Sequence, residues 1–303
     1  LVHGLEIEFF AFDSEEMNID VEKTKVKVEE LRKQDRLPKI AMFGGSVFLF
    51  PHPVKELADF LKSYNMHINY DAAHVAGLIA GGEFQDPLRE GVDTVTMSTH
   101  KTLFGPQGGL VLAFEKDAEA IKKATFPGLT SSHHIHHMAA KAVTFAEVLE
   151  FGKDYASQTI KNAKALAVTL NDLGFKVLGE KKGFTQSHQT VVNVLDYGDG
   201  GKIEADLEKA NIIVNRQLIP GDIKAKRHYM HPGGIRLGTS EVTRLGMKEP
   251  EMEQIASLIK SVVIDNKDAK DIAKQIAEFR KTYQKTQYCF DNKLGAYEYV
   301  KLR

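Results

Sequence analysis

Lys101 closes a β-branched run, Thr94-Val-Thr-Met-Ser98-Thr-His100. The residues after it, Thr-Leu-Phe-Gly-Pro-Gln-Gly-Gly109, carry the glycines and proline that stop a strand or helix from continuing. A lysine on a loop at a strand's end lies where an α/β sheet opens its ligand crevice. Partly desolvated there, it can lose its proton and attack a carbonyl as a neutral amine, the chemistry of a Schiff base. Taken alone, such a lysine reads more simply as a surface side chain beside a tight turn. A second chemical group comes 30 residues earlier, where residues 66–70 read as a short strand running into Asp71-Ala72-Ala73-His74. If the two strands are neighbours, a carboxylate and an amine face one crevice.

Those are the two groups that pyridoxal phosphate asks of a protein. Lysine forms the aldimine, and an aspartate paired with the pyridine nitrogen keeps it protonated, so that the ring accepts electrons from a substrate carbanion. The stretches Asp71-Ala-Ala-His-Val-Ala-Gly-Leu-Ile-Ala-Gly-Gly82 and Ser98-Thr-His-Lys-Thr-Leu-Phe-Gly-Pro-Gln-Gly-Gly109 closely resemble the serine hydroxymethyltransferase family. Two motifs at the family's spacing are far more specific than either alone. The resemblance implies an α/β protein of the fold-type I aminotransferase architecture, with a parallel-rich sheet in the large domain and a smaller α+β C-terminal domain. It also implies pyridoxal 5'-phosphate as cofactor and reversible transfer of serine's hydroxymethyl carbon to a reduced pterin, leaving glycine.

Carried over residue by residue, the resemblance makes Lys101, Asp71, His74 and Ser98 the expected catalytic residues. Ala73 is expected on the cofactor ring's face, where a larger side chain would displace it, and Ser46, His100 and Gly128 are expected around the cofactor. Arg236, in Gly233-Gly-Ile-Arg-Leu-Gly-Thr-Ser240, matches the family's clamp on the amino acid carboxylate, a task suited to a bidentate guanidinium. Some of these signals have plainer readings when taken singly. Gly44-Gly45-Ser46 is then a turn, His74 a satisfied core histidine and Arg236 a structural salt bridge. Phe126-Pro127-Gly128 matches a segment that reaches the phosphate of a neighbouring subunit, which implies a homodimer with a shared active site.

Two places depart from the family pattern. After Gly128 the chain has Ser131-Ser-His-His-Ile-His-His137, four histidines in five residues, where related enzymes carry further glycines. His133 and His137 would share a helix face, but no Glu-x-x-His framework or nearby carboxylate supports a metal, and none is expected. The serine hydroxyls and one histidine are expected to take over phosphate contacts. In Asn215-Arg-Gln-Leu-Ile-Pro220, Gln217 stands where folate-using relatives carry asparagine, and its added methylene moves the amide by roughly one bond length. With Ser98 in place of a bacterial threonine and the histidine cluster, this gives the chain an archaeal look. The pterin is left open between tetrahydrofolate and tetrahydromethanopterin.

The elements that must position these groups follow from periodicity. Residues 5–12 and 39–43 read as strands, Asp20 as the cap of a helix carrying Val21, Val28 and Leu31, and Pro53 as the opening of one burying Val54, Leu57, Ala58 and Leu61. Strand, helix, strand at this spacing indicates a parallel βαβ unit. The glycines after Lys101 return the chain into a strand over 110–114. A helical region over 139–174 follows, with Gly152 as a possible break. Strands are expected over 175–178, 190–195 and 212–214, a helix over 203–210, and two charged amphipathic helices over 250–285. The expected domains are 1–150, the C-terminal portion of the cofactor domain, and 151–303, the small domain.

The totals exclude other classes. The 303 residues carry 40 Lys plus Arg against 41 Asp plus Glu, so bulk charge makes no case for nucleic acid or an anionic membrane. No apolar run approaches the roughly 18 residues of a membrane span, the opening residues resemble neither a signal nor a transit peptide, and the cytoplasm is the expected compartment. The single Cys289 excludes an intramolecular disulfide and reads as a packing residue. The family's preceding part, with its amino-terminal arm, part of the phosphate cup, the ring-stacking group and an acid–base glutamate, has no expected counterpart in this sequence. Three other readings stay open: a pterin-independent aldolase of β-hydroxy amino acids, a non-catalytic degenerate subunit, and a nucleotide-binding module. The last is disfavoured because Lys101 precedes its glycines, the reverse of a Walker loop.

Overall fold

The computed structural model describes residues 5–291, 293, 295 and 296, and divides into two compact units, Leu1–Ile79 with Phe84–Phe145, and Ala80–Glu83 with Ala146–Arg303. In the first unit the expected strand over 5–12 does not form. Leu5, Ile7 and Phe9 are exposed, so the apolar alternation has no buried face to satisfy, and pairing is confined to β1 (Phe12–Asp13) against β2 (Asn18–Ile19). Asp20 then caps α1 (Val21–Lys33), its carboxylate accepting the Lys23 N–H at 2.9 Å, and Thr24, Val28 and Leu31 form the buried stripe.

β3 (Ile40–Gly44), α2 (Val54–Ser63) and β4 (His67–Asp71) make the expected parallel βαβ unit, in which α2 buries Val54, Leu57, Ala58 and Leu61. Short helices α3 (Ala76–Ala80) and α4 (Pro87–Glu90) lead to β5 (Thr94–Ser98), which is parallel to β4; β6 (Gly109–Ala113) returns antiparallel beside it, giving the order β3-β4-β5-β6. The chain continues through α5 (Glu115–Lys123) and a turn at Ala124–Leu129 that kinks at Phe126, whose backbone is extended.

Next, α6 (Ile135–Asp172) runs through Gly152 without a break. That glycine serves close approach instead of a stop: it lies against Gly81, where a Cβ would meet the Gly152 carbonyl. Because α6 begins at Ile135, His133 precedes the helix, and the i, i+4 pair expected with His137 does not form.

The second unit holds an antiparallel sheet of β7 (Lys176–Val177), β8 (Gln189–Asn193), β9 (Asn215–Gln217) and β10 (Gly234–Gly238), in the order β7-β8-β10-β9. Helices α7 (Gly200–Lys209), α8 (Ser240–Arg244), α9 (Glu249–Val263) and α10 (Ala269–Arg280) complete it. Leu166, Leu170, Val192, Leu207, Ile235 and Ile259 belong to its core. The strand expected over 212–214 begins three residues later. The Ile212 N–H closes onto Leu207 O at 2.9 Å as the chain leaves α7, and Ile213 is 77 % exposed, so ladder pairing starts at Asn215. Among the described residues no helix is long and apolar enough to cross a membrane.

Candidate active site

β3, β4 and β5 end side by side. Parallel register sets Gly44 against Asp71 and Asp71 against Thr96, so the residues that follow these strands emerge at one edge of the sheet. The Asp71 carboxylate is half-buried, and its Oδ1 accepts the Ala73 N–H at 2.9 Å, a local turn that fixes its direction at the strand's end. Ala72 N–H donates to Thr96 O at 2.7 Å, and the Ser98 hydroxyl donates to Ala73 O at 2.9 Å. Ser98 therefore holds the backbone that carries Asp71 and His74.

Lys101 is half-buried on the loop after β5. Its neighbour Thr102, fully buried, donates its hydroxyl to His74 O at 2.8 Å and accepts the Gly77 N–H at 3.0 Å. A Cβ on Gly77 would overlap the Thr102 carbonyl, so α3 and the lysine loop touch backbone to backbone. The loop turns back on Thr99, whose N–H donates to Gly108 O at 3.0 Å and whose hydroxyl donates to Pro106 O at 2.7 Å. Asp71, Ala73, His74, Ser98 and Lys101 thus come from two adjacent strand ends tied by four hydrogen bonds, those of Ala72, Ser98 and Thr102. His100 is exposed on the same loop, and Ser46 is exposed on the turn after β3.

That turn is built on Gly44, with φ of +94° and no room for a Cβ against Asp71 O. Behind it lies a buried group of side chains that sequence reasoning missed. His52 Nδ1 accepts the Gly44 N–H at 3.1 Å, while Gln85 grips the His52 backbone and accepts the Tyr70 hydroxyl at 2.8 Å. Burial pulls the His52 pKa down to about 4, and burial, with the charges of Glu90 and Asp71, pushes the Tyr70 phenol far up, so both stay neutral. No sequence signal finds them: His52 sits between two prolines and reads as loop.

Gly128 lies in the exposed turn kinked at Phe126. Beyond it the rings of His134, His136 and His137 gather, with centroids 4.4–5.4 Å apart. Burial lowers the His137 pKa, as do His136, His134 and Lys141. Among the described residues no three His, Cys, Asp or Glu side chains are placed to hold a metal.

In the second unit, Arg236 stands mid-strand in β10, opposite Val191 and Asn215, and its Nη2 donates to Asn215 Oδ1 at 2.9 Å. Burial lowers its pKa from a very high ordinary value. Buried Asp222 fixes the preceding loop, its Oδ2 accepting Ile219 N–H at 2.9 Å and Gly233 N–H at 2.7 Å. The Gln217 side-chain amide donates to Leu218 O at 2.9 Å. Arg244 pairs with Glu147 at 2.9 Å and donates to Tyr288 O, a structural brace. Burial raises the Cys289 thiol, whose Sγ points at the carbonyls of Thr286 and Asp291, as suits a packing residue.

An amine and an oriented carboxylate at neighbouring parallel strand ends fit pyridoxal phosphate, and the fold is that of the fold-type I enzymes that depend on that cofactor. The family model for serine hydroxymethyltransferase matches residues 1–259. The chain is 78 % identical over 303 residues to the serine hydroxymethyltransferase of Nitrosopumilus maritimus (strain SCM1), and 72 % identical to that of Cenarchaeum symbiosum (strain A). Each match covers 100 % of this chain and 69 % of the relative. Among solved structures, L-threonine transaldolase from Pseudomonas fluorescens, in its internal aldimine state, superposes with a TM-score of 0.81 at 32 % identity, over 94 % of this chain and 63 % of that one. This chain belongs to the serine hydroxymethyltransferase family. The family's members are one-carbon transferases that use pyridoxal phosphate to convert serine to glycine.

Proposed function

We propose that this chain carries the lysine, the electron-sink carboxylate and the carboxylate clamp of a serine hydroxymethyltransferase, with residues 1–150 as part of the cofactor domain and 151–303 as the small domain. The reading rests on the tie between Asp71 and Lys101 through the Ser98 to Ala73 and Thr102 to His74 hydrogen bonds. When bound, pyridoxal phosphate supplies the electron sink that lets serine's Cα–Cβ bond break. Lys101 would hold the cofactor through its Nζ, and the Asp71 carboxylate would hold a proton on the ring nitrogen. Ala73 would leave room for the ring face, His74 and Ser46 would offer polar contact to the cofactor, His100 would belong to the phosphate end, and Gly128 would reach the phosphate of a neighbouring subunit. Arg236 grips the serine carboxylate, its guanidinium already oriented by Asn215. In the full-length protein, borohydride should trap the cofactor on Lys101, located by peptide mapping, and Lys101→Ala should abolish both trapping and turnover. An adduct on another lysine overturns the assignment.

The working unit is a homodimer in the cytoplasm. Supporting this, Phe126, Leu129, Ile135 and Met138, which flank Gly128, are all more than half exposed in the single chain. An active monomer in sedimentation would refute the shared site. The one-carbon acceptor is tetrahydromethanopterin in preference to tetrahydrofolate, because Gln217 replaces the asparagine of folate users and its amide is turned onto Leu218 O. A higher kcat/KM with tetrahydrofolate ends that preference. The likeness to a threonine transaldolase supports a second reading, aldol chemistry on β-hydroxy amino acids without a pterin. Serine cleavage that ignores added pterin would favour it.

A further inference from the structure

We propose that His52, clamped by Gln85 and Tyr70, is a positioning residue that holds the Gly44-Gly45-Ser46 turn against Asp71 and so shapes the cofactor's seat. The inference rests on the reading of Asp71 and Ser46 as cofactor residues. Gly44 is the last residue of β3, paired with Asp71, and its Cα lies so close to the Asp71 carbonyl that no side chain fits between. Any drift of Gly44 therefore moves the backbone of the carboxylate itself. The chain turns out of the sheet immediately after Gly44, and the group that receives its N–H is the ring of His52, eight residues on, at 3.1 Å. An imidazole does this only as a neutral ring with its Nδ1 lone pair free and the proton on Nε2.

Ring and backbone of His52 are both held. The ring packs on Phe48, with centroids 4.6 Å apart, and lies edge-on to Tyr70 at 6.5 Å. Its backbone N–H donates to Gln85 Oε1 at 3.0 Å, and its carbonyl accepts from Gln85 Nε2 at 2.6 Å, so one amide holds both faces of the same peptide residue. The same Oε1 accepts the Tyr70 hydroxyl at 2.8 Å, and Gln85 Nε2 also reaches the Glu90 carboxylate. Tyr70 is the residue before Asp71. The contacts close a circuit from Asp71 through Tyr70, Gln85 and His52 to Gly44 and back to Asp71, all of it buried or half-buried behind the strand ends. A packing role alone asks only for an aromatic ring at position 52; this circuit asks for an acceptor at one atom.

That difference sets the test. In full-length protein freed of cofactor, the dissociation constant for pyridoxal phosphate and the hydrogen–deuterium exchange of the peptide covering residues 44–52 are measured for three variants. His52→Phe keeps the ring against Phe48 and deletes the acceptor. His52→Asn deletes the ring but places an amide oxygen near the position of Nδ1. Tyr70→Phe loosens Gln85 without touching His52. We expect His52→Phe to raise the dissociation constant about tenfold and to speed exchange at 44–46, and His52→Asn to return both to within roughly threefold of wild type. Tyr70→Phe should fall between them. His52→Asn worse than His52→Phe on both readouts overturns the proposal in favour of packing. If His52→Phe does not fold, Tyr70→Phe decides, and wild-type affinity and exchange there overturn it equally. Wild-type protein that binds no pyridoxal phosphate in the same titration defeats the cofactor reading itself and takes this inference with it. With tight wild-type binding, only the variants speak to His52.

Discussion

Replacing Gly77 by alanine adds one methyl group where α3 meets the loop after Lys101. The new Cβ would overlap the Thr102 carbonyl and come within 2.8 Å of Leu103 N, and real Cβ atoms essentially never approach a neighbour closer than 3.0 Å. All of these neighbours are backbone atoms, so no side-chain rotation relieves the overlap, and α3 must separate from residues 102 and 103. Overpacking of this kind costs about 1–3 kcal/mol. The separation also strains the hydrogen bonds from Gly77 N–H to Thr102 and from Thr102 to His74, at 3.0 and 2.8 Å, each worth about 1 kcal/mol. Alanine gains about 1 kcal/mol over glycine in helix propensity, leaving a net loss of roughly 1–4 kcal/mol. For a domain of this size that lowers Tm by roughly 3–15 °C. Because Thr102 follows Lys101 directly, the same displacement moves the amine, and affinity for pyridoxal phosphate should fall with stability. Urea unfolding and cofactor titration of the full-length protein measure both, with Gly109→Ala as the control, since a Cβ there meets its nearest neighbour at an ordinary 3.6 Å. Gly77→Ala with wild-type stability and wild-type cofactor affinity would refute the backbone contact as the device that holds the lysine loop.

Three further outcomes follow from the geometry. The His52 pKa is held at about 4 in the fold against an ordinary 6.5, so the unfolded chain binds the extra proton between those values and stability rises with pH across that window. The contribution is complete above pH 6.5 and lost as pH falls toward 4, roughly 3 kcal/mol in all, and His52→Asn should flatten this dependence in urea titrations; an unchanged slope would assign the acid sensitivity elsewhere. Arg236→Ala should weaken serine binding while pyridoxal phosphate absorbance stays intact, and unchanged serine affinity would remove Arg236 from the site. Asn162, fully buried, donates to Thr243 Oγ1 at 2.8 Å and to Met247 O at 2.9 Å, so Asn162→Leu should destabilise the second unit by roughly 2–4 kcal/mol, and a change in unfolding free energy below about 0.3 kcal/mol in urea titrations would contradict that.

The sequence by itself was enough for the parts of this protein that depend on local rules. Asp20 as a cap, the apolar stripe of α2 and the parallel βαβ order follow from side-chain type and period alone, because each element's partner face is set by its own repeat. The strand ends at Asp71 and Ser98 were legible for the same reason, since glycine and proline after Lys101 forbid regular backbone. Where the outcome depended on a partner distant in the chain, periodicity failed. Residues 5–11 alternate like a strand but form no strand ladder among the described residues, while Gly152 looks like a stop and is a contact point for Gly81. Residues 212–214 have strand composition but follow α7 too closely to reach β10. The tie from Thr102 to His74 spans 28 residues, and the grip of Gln85 on His52 spans 33; a hydrogen bond from a polar side chain to backbone that far away leaves no mark in either local sequence. Only the folded chain, by bringing three strand ends to one edge and burying the groups behind them, decides which amide, hydroxyl and imidazole must meet.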